Sequence, residues 1–312
     1  MIGHLVRRVG GAGLTLLVVA LFVFVAVQVV PGDPARVVVG PDASPEDYAA
    51  ARTRLGLDTP WPVRFVSWVG AFVAGDWGDS LLYNRPVRPL VLSGLAVTLP
   101  LAGLALGMAL LLALPLGTIA AGRVGGWLDM GTVGFLQLGT ALPEFWLGIL
   151  LVGLVAVAWR LLPAGGFPGW GEPRAVASLV LPALSLALPR GAYLARMVRA
   201  SLADVLAEDY VRSARAKGLP ELRIVAVHAL RNALVPILTT AGLTLARLVA
   251  GAMVVENVFG LPGLGRLTVV AVEGRDLPLL ASAAAVVAGL VVIVSLVVDL
   301  GYALLDPRMR ER

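Results

Sequence analysis

The chain has 312 residues, of which 58% are hydrophobic and only 14% charged, and its mean hydropathy is +0.88. Water-soluble domains use roughly 45–50% apolar residues, so this is the composition of a membrane protein. Cysteine is absent, which excludes a disulfide framework, a zinc–thiolate site, an iron–sulfur cluster and a cysteine nucleophile. The formal net charge of +5 comes from residues scattered between apolar runs, so no nucleic-acid partner is implied.

A helix rising about 1.5 Å per residue needs roughly 20 apolar residues to cross the hydrocarbon of a bilayer. Six segments qualify, at residues 9–30, 92–121, 131–159, 179–198, 233–255 and 279–305. The expected fold class is therefore an all-α polytopic membrane protein with six transmembrane helices. The first span follows Arg7 and Arg8, exceeds the apolar core of a signal peptide, and is followed by PGDPAR where a small-residue cleavage site would lie. It is expected to be a retained membrane helix.

Between the first two spans, residues 31–91 form a large loop. Ser44 before Pro45 and Glu46 reads as a helix N-cap with proline at the first helical position, and Gly56 reads as a stop. Farther on, Phe65, Trp68, Val69 and Phe72 recur at helical spacing. They predict an interfacial helix with an aromatic face, lying on the bilayer or meeting an external partner. The glycines and acids of GDWGDS, residues 75–80, lack the spaced ligands and distal Glu of a calcium loop and read as a turn.

Prolines interrupt the spans at Pro100, Pro115, Pro143, Pro182, Pro189 and Pro236. Each removes a backbone donor and crowds the preceding turn, which membrane helices tolerate where neighbours or water satisfy the freed carbonyls. Kinked helices around a cavity suit a transporter, and ordinary bundle irregularity accounts for any single proline equally well. FGLPGLGRL, residues 259–267, is rich in glycine, but no strand precedes it and no Lys-Ser/Thr follows, so it is not read as a phosphate cradle.

Basic residues set the orientation, because cytoplasmic loops retain Lys and Arg. With the N-terminus inside, the cytoplasmic segments hold Arg7, Arg8, Arg123, Arg196, Arg199, Arg212, Arg215, Lys217, Arg223, Arg231, Arg308, Arg310 and Arg312. The two short outer connections hold Arg160, Arg174, Arg266 and Arg275. Both termini are expected in the cytoplasm.

Catalytic chemistry is poorly supplied. A nucleotide-binding P-loop needs a lysine between glycine and Ser or Thr, and the lone lysine, Lys217, lies between Ala216 and Gly218. His4 and His228 form no HExxH metal motif, and no GxSxG nucleophile elbow is present. No enzyme is expected, nor any cofactor or metal bound by this chain. Ionisable groups within spans are costly and become functional candidates by default: Glu144, Arg190, Arg247, Glu256 and Asp299. They fit a pathway or gate, and equally interhelical pairing or snorkelling to an interface.

The densest charge lies at residues 208–220, EDYVRSARAKGLP. On a continuous helix from about Ser201 to Lys217, Asp204, Glu208, Arg212 and Arg215 form one stripe, with Leu202, Leu206 and Tyr210 opposite. Glu208 and Arg212 have the favourable acid-first i,i+4 order. Gly218 fits a helix stop and Pro220 the start of a second helix through Leu230. A helix with both faces committed needs something to pack against; a solvated loop face is the bland alternative.

This stretch, continued as ELRIVAVHALRNALVP, resembles the cytoplasmic coupling loop of ABC importer permeases, of the B-type in the dipeptide, oligopeptide and nickel group. That class carries Glu-Ala-Ala, three residues, then Gly. Arg212, Ser213 and Ala214 occupy the first three positions before Gly218, with Arg in place of Glu. VVPGDPA, LGLDTPWPVRFVSWV, GDWGDS, the run Pro143, Glu144, Phe145, Trp146, then VVENVFGLPGLGRL and RDLPLL follow the group's order over nearly the whole chain.

The resemblance implies a type I ABC importer permease fold, with residues 1–312 as one permease domain, 31–91 as the extracytoplasmic loop and 199–232 as the cytoplasmic coupling loop. It implies a bacterial inner (plasma) membrane location and transport of peptides or similar small solutes. Its expected partners are a second homologous permease, two cytoplasmic ATPases that use ATP and Mg, and an extracytoplasmic substrate-binding protein. Glu208, Asp209, Tyr210, Arg212, Ala214, Arg215, Lys217 and Gly218 are the expected ATPase-coupling residues. An ion-coupled carrier acting without an ATPase is the alternative, motivated by Glu144, Arg190, Arg247 and Asp299.

Overall fold

The computed structural model describes residues 2–29, 34–40, 43–54, 56–122 and 125–305. Helices dominate these residues: α1 Ile2–Val29, α2 Pro34–Val39, α3 Pro45–Arg54, α4 Trp61–Ala74, α5 Val87–Ala121, α6 Trp127–Ala141, α7 Glu144–Leu151, α8 Ala175–Leu206, α9 Asp209–Ala216, α10 Glu221–Arg223, α11 Leu230–Phe259, α12 Leu264–Glu273 and α13 Leu277–Leu305. Two π-helical stretches, Val152–Ala158 and Ile224–Ala229, extend α7 and join α10 to α11. Among the described residues five helices are long and apolar enough to cross a membrane, and a bent pair makes a sixth. Of the basic residues in the expected orientation pattern, Arg123, Arg308, Arg310 and Arg312 lie outside the described residues, as do the side chains of Arg7 and Arg8.

That bent pair corrects the third expected span. Residues 131–159 are not one helix: α6 stops at Ala141, and the α7 segment leaves it at 95°. Leu142 is extended (ψ 128°) and Pro143 follows it at φ −64° and ψ 138°. Clash with the proline ring drives the preceding residue out of the helical region, so Pro143 ends the helix here. Pro182 and Pro189 remain inside α8, and Pro100 and Pro115 inside α5.

The chain divides into two compact units. One holds residues 99–261 and 293–305, the other Ile2–Thr98 and Pro262–Val292. In the first, α8 packs along α6, α7 and α11. Small residues allow α5 and α8 to approach closely: Ala109 and Ala113 of α5 are buried with Ala187, Ala192 and Ala195 of α8. A Cβ on Gly117 would lie 2.6 Å from the Ala195 carbonyl oxygen, and one on Gly191 3.2 Å from that of Ala109. Close packing of small residues is a main source of helix association where lipid removes any hydrophobic drive. At its end α11 closes with Gly260 in the left-handed region (φ 63°), donating to Asn257 O, while Leu261 N–H reaches Glu256 O at 2.9 Å. This is a Schellman stop with a buried apolar residue after the glycine.

In the second unit Val87, Val91, Leu264, Ala271, Leu279 and Ala283 form the core. Gly94 admits the α12 backbone, since a Cβ there would lie 2.9 Å from Leu264 N. The Leu264 N–H donates to Thr98 Oγ1 at 2.8 Å. GDWGDS is the expected turn: Asp76 accepts from the Gly78 N–H at 3.0 Å. Its last residue, Ser80, donates to buried Asp276, which also accepts from Leu82 N–H and from Leu279 N–H, both at 3.1 Å, and so caps α13.

Other loop expectations meet the structure unevenly. Ser44 caps α3, with its Oγ accepting from the Asp47 N–H at 3.1 Å. The aromatic face of α4 is half-buried because it packs on α1: Phe65 and Trp68 lie 5.4 and 5.9 Å from the Phe24 ring, and Phe72 stacks on Trp77 at 4.9 Å. What α4 leaves open is its opposite side, Val63, Val66 and Val73.

Candidate functional site

The charged segment at 199–232 is a folded unit, and it corrects one sequence-based expectation. α8 does not continue to Lys217: it stops at Leu206, Glu208 is extended (ψ 150°), and α9 restarts at Asp209. Asp204 and Glu208 therefore share no helical stripe with Arg212 and Arg215. The break lets the chain fold back on itself. Val211 and Ala214 of α9 and Ile224 of the following π-helical stretch are buried against Leu202 and Leu206 of α8. Burying a side chain of the size of Val211 or Ile224 contributes about 1.5–3 kcal/mol, which favours the fold-back over a continuous helix.

Of the expected apolar face, Leu202 and Leu206 are buried, but Tyr210 is exposed and its hydroxyl accepts from Asn232 Nδ2 at 2.7 Å. Ala214, expected among the contact residues, faces this interior. Glu208 does not pair with Arg212, because it lies outside the helix; Arg212 reaches Asp209 instead, at 3.3 Å. Both of those side chains are largely exposed, which makes the pair weak. Arg215 makes the better contact, a two-pronged bond to Glu221 at 2.7 and 3.2 Å that closes the turn between α9 and α10. That hydrogen bonding holds the Arg215 guanidinium above its ordinary value. Gly218 is the stop it was expected to be: φ is 78°, its N–H donates to Arg215 O, and Leu219 N–H reaches Ala214 O. The second helix begins after Pro220 as expected, but it runs on through the π-helical stretch into α11. The outcome is a short, packed hairpin whose outer side presents Glu208, Asp209, Tyr210, Arg212, Arg215 and Lys217.

A second constellation lies between the apolar helices. Glu144, in the first turn of α7, pairs with Arg190 of α8 at 2.7 Å. Gly251 of α11 leaves room for them, since a Cβ there would lie 3.2 Å from Glu144 Oε2. Arg247 of α11 and Arg196 of α8 lie over the Tyr193 ring, 5.9 and 6.0 Å from its centre. Arg196 also donates to Gln137 Oε1 at 3.2 Å. Glu144, Arg190, Tyr193, Arg196 and Arg247 line a cavity of about 430 Å³. Three of the five intramembrane candidates thus come together. Glu256 is fully buried in α11 and does not line the cavity; the side chain of Asp299 lies outside the described residues.

Tyr193 and Arg196 are not among the candidates the sequence marks, although the successive i,i+3 steps from Arg190 to Tyr193 and from Tyr193 to Arg196 are a usable signal. Nor was the fork from Arg199 to Asp129, at 2.5 and 2.6 Å. It ties the start of α6 to α8 across 70 residues of sequence, a separation that single-helix spacing does not reveal. Among the described residues no group of His, Asp and Glu is arranged to hold a metal ion.

Residues 113–311 match the family described as binding-protein-dependent transport system inner membrane component, and residues 1–85 match its N-terminal region. A probable peptide ABC transporter permease protein of Sinorhizobium fredii is 37% identical over 309 residues, spanning 98% of this chain and 99% of the relative. The dipeptide transport system permease protein DppB of Escherichia coli is 35% identical over 338 residues, spanning both chains entirely. Among solved structures, the inward-facing MetNI methionine ABC transporter superposes with a TM-score of 0.60 at 19% identity, covering 70% of this chain and 96% of that one. An amino acid ABC transporter gives 0.53 at 20% identity, covering 69% and 93%. These structural likenesses concern the fold.

Proposed function

The chain belongs to the binding-protein-dependent transport system inner membrane component family, as a transport permease, and on that premise we propose that it forms half of the translocation pathway of an ATP-driven importer of peptides or similar small solutes. The relatives named for peptide and dipeptide transport support the substrate class. In this reading residues 1–312 act as one permease domain, both termini are cytoplasmic, 31–91 face the outside and 199–232 face the ATPases. Its partners are a second, homologous permease, two ATPases that consume ATP and Mg, and a substrate-binding protein. The chain itself catalyses nothing.

The observation that carries the reading is the hairpin around α9. Its inner side is fixed to α8 by Val211, Ala214 and Ile224, its turn is closed by the bond between Arg215 and Glu221, and its outer side is charged. Such an element transmits a push as a rigid body, whereas a solvated loop would absorb it. Glu208, Asp209, Tyr210, Arg212, Arg215 and Lys217 then meet the ATPase surface, while Ala214 and Gly218 hold the hairpin's shape. The missing P-loop fits this division of labour, because the energy must come from another chain. An ion-coupled carrier acting alone does not suit a family that depends on a binding protein.

Charge reversal at Arg212 and Arg215 together tests the proposal. The double variant should insert in the membrane at the normal level, lose copurification with the ATPases and transport at least tenfold more slowly. Wild-type transport by that variant would refute the coupling role of the hairpin.

A further inference from the structure

The cavity between α7, α8 and α11 has an unbalanced charge. Its lining includes one carboxylate, Glu144, and three guanidiniums, Arg190, Arg196 and Arg247. Glu144 is already taken by Arg190. Among the described residues the contacts of Arg196 are the neutral amide of Gln137 and the Tyr193 ring, with no carboxylate. Among the described residues Arg247 has no carboxylate partner either; its contact is the Tyr193 ring. It lies well inside α11, about 12 Å along the axis from the end of the expected span at Val255.

A guanidinium at such a depth is expensive unless it faces an anion or a water-filled cavity. The aromatic ring offsets only about 0.5–2 kcal/mol of that cost. Two guanidiniums with no carboxylate among the described residues, Arg247 exposed and Arg196 half-buried on one tyrosine, face a cavity whose volume falls within the roughly 300–1,000 Å³ of small-molecule sites, and so make a receptor for a planar anion. A carboxylate matches the fork of Arg in shape and charge. Apolar Phe145 and Val254 on the same cavity would meet the less polar part of such a solute.

The geometry points to a carboxylate-binding station within this permease, formed by Arg247 and Arg196 on Tyr193, that takes the C-terminal carboxylate of the transported peptide. The peptide part of this assignment rests on the transport reading above. The pair of Glu144 and Arg190 forms the adjoining wall and is not the anion site.

The test uses the assembled transporter purified with this chain. Radiolabelled alanyl-alanine and its C-terminal amide are offered to it in detergent without the binding protein, and the same complex in proteoliposomes is assayed for ATP-driven uptake of alanyl-alanine with the binding protein. The wild type should bind the acid at least tenfold more tightly than the amide. Arg247→Gln should abolish that preference and slow uptake at least tenfold; Arg247→Lys should restore part of the preference. Equal binding of acid and amide by the wild type overturns the station, and so would a preference unchanged in Arg247→Gln. A carboxylate of the second permease seated on Arg247 would also give equal binding and is excluded by the expected result. Should the wild type prefer the acid yet take up no peptide under ATP, the station stands and the transport reading falls.

Discussion

Gly117 and Gly103 both lie in α5, and the structure assigns them opposite tolerances. A Cβ on Gly117 would stand 2.6 Å from the Ala195 carbonyl oxygen and from Val198 Cβ, whereas one on Gly103 would meet nothing within 4 Å. Overpacking a close helix contact costs about 1–3 kcal/mol, while alanine in an open helical position gains about 0.5–1 kcal/mol over glycine. Gly117→Ala should lower the midpoint of thermal unfolding in detergent, and Gly103→Ala should leave it unchanged or raise it. Equal midpoints for the two variants would contradict the close approach of α5 and α8. The alanines around these glycines were visible in the sequence only as apolar residues. Their role as a packing surface depends on which helix lies opposite, and that is not a local property.

At the scale of elements, helix ends were more legible than helix relations. Ser44, Gly218 and Pro220 were read correctly, because caps and stops depend on residues within one turn. The break between Leu206 and Asp209 was missed: nothing in AEDY forbids a helix, and the turn exists because Val211 and Ala214 find partners on α8. The sequence marks Pro143 as a breaker inside an expected span, whereas the extended Leu142 before it ends α6 outright. Gly218 gives a direct check on the hairpin. Its φ of 78° is left-handed, and a Cβ there would touch nothing within 4 Å, so Gly218→Val would add backbone strain alone, about 1–2 kcal/mol. Amide exchange in α9 should accelerate about five- to thirtyfold, with α5 amides unchanged. Unaltered exchange in α9 would mean that the glycine stop does not hold the hairpin.

At the scale of the whole molecule, composition and span count lead to a polytopic membrane protein because apolar runs of membrane length admit few other fates, and the permease reading comes from the resemblance carried by the motifs. The intramembrane site was half legible. Glu144, Arg190 and Arg247 stood out by the cost of burying charge, but their meeting required the bend at Pro143 and the packing of α7 and α8 with α11. Tyr193 and Arg196 carry no such mark in the sequence, because one is a common membrane aromatic and the other has the spacing of an ordinary positive-inside residue. The central claim is that a chain without a nucleotide site moves solute on energy received from another chain. Uptake of alanyl-alanine into proteoliposomes measures this most directly, with this permease and its partner permease reconstituted with or without the ATPases, the binding protein and ATP. The account predicts accumulation only when all three are present, and none from an ion gradient alone. Accumulation driven by an ion gradient, with the ATPases absent, would contradict it.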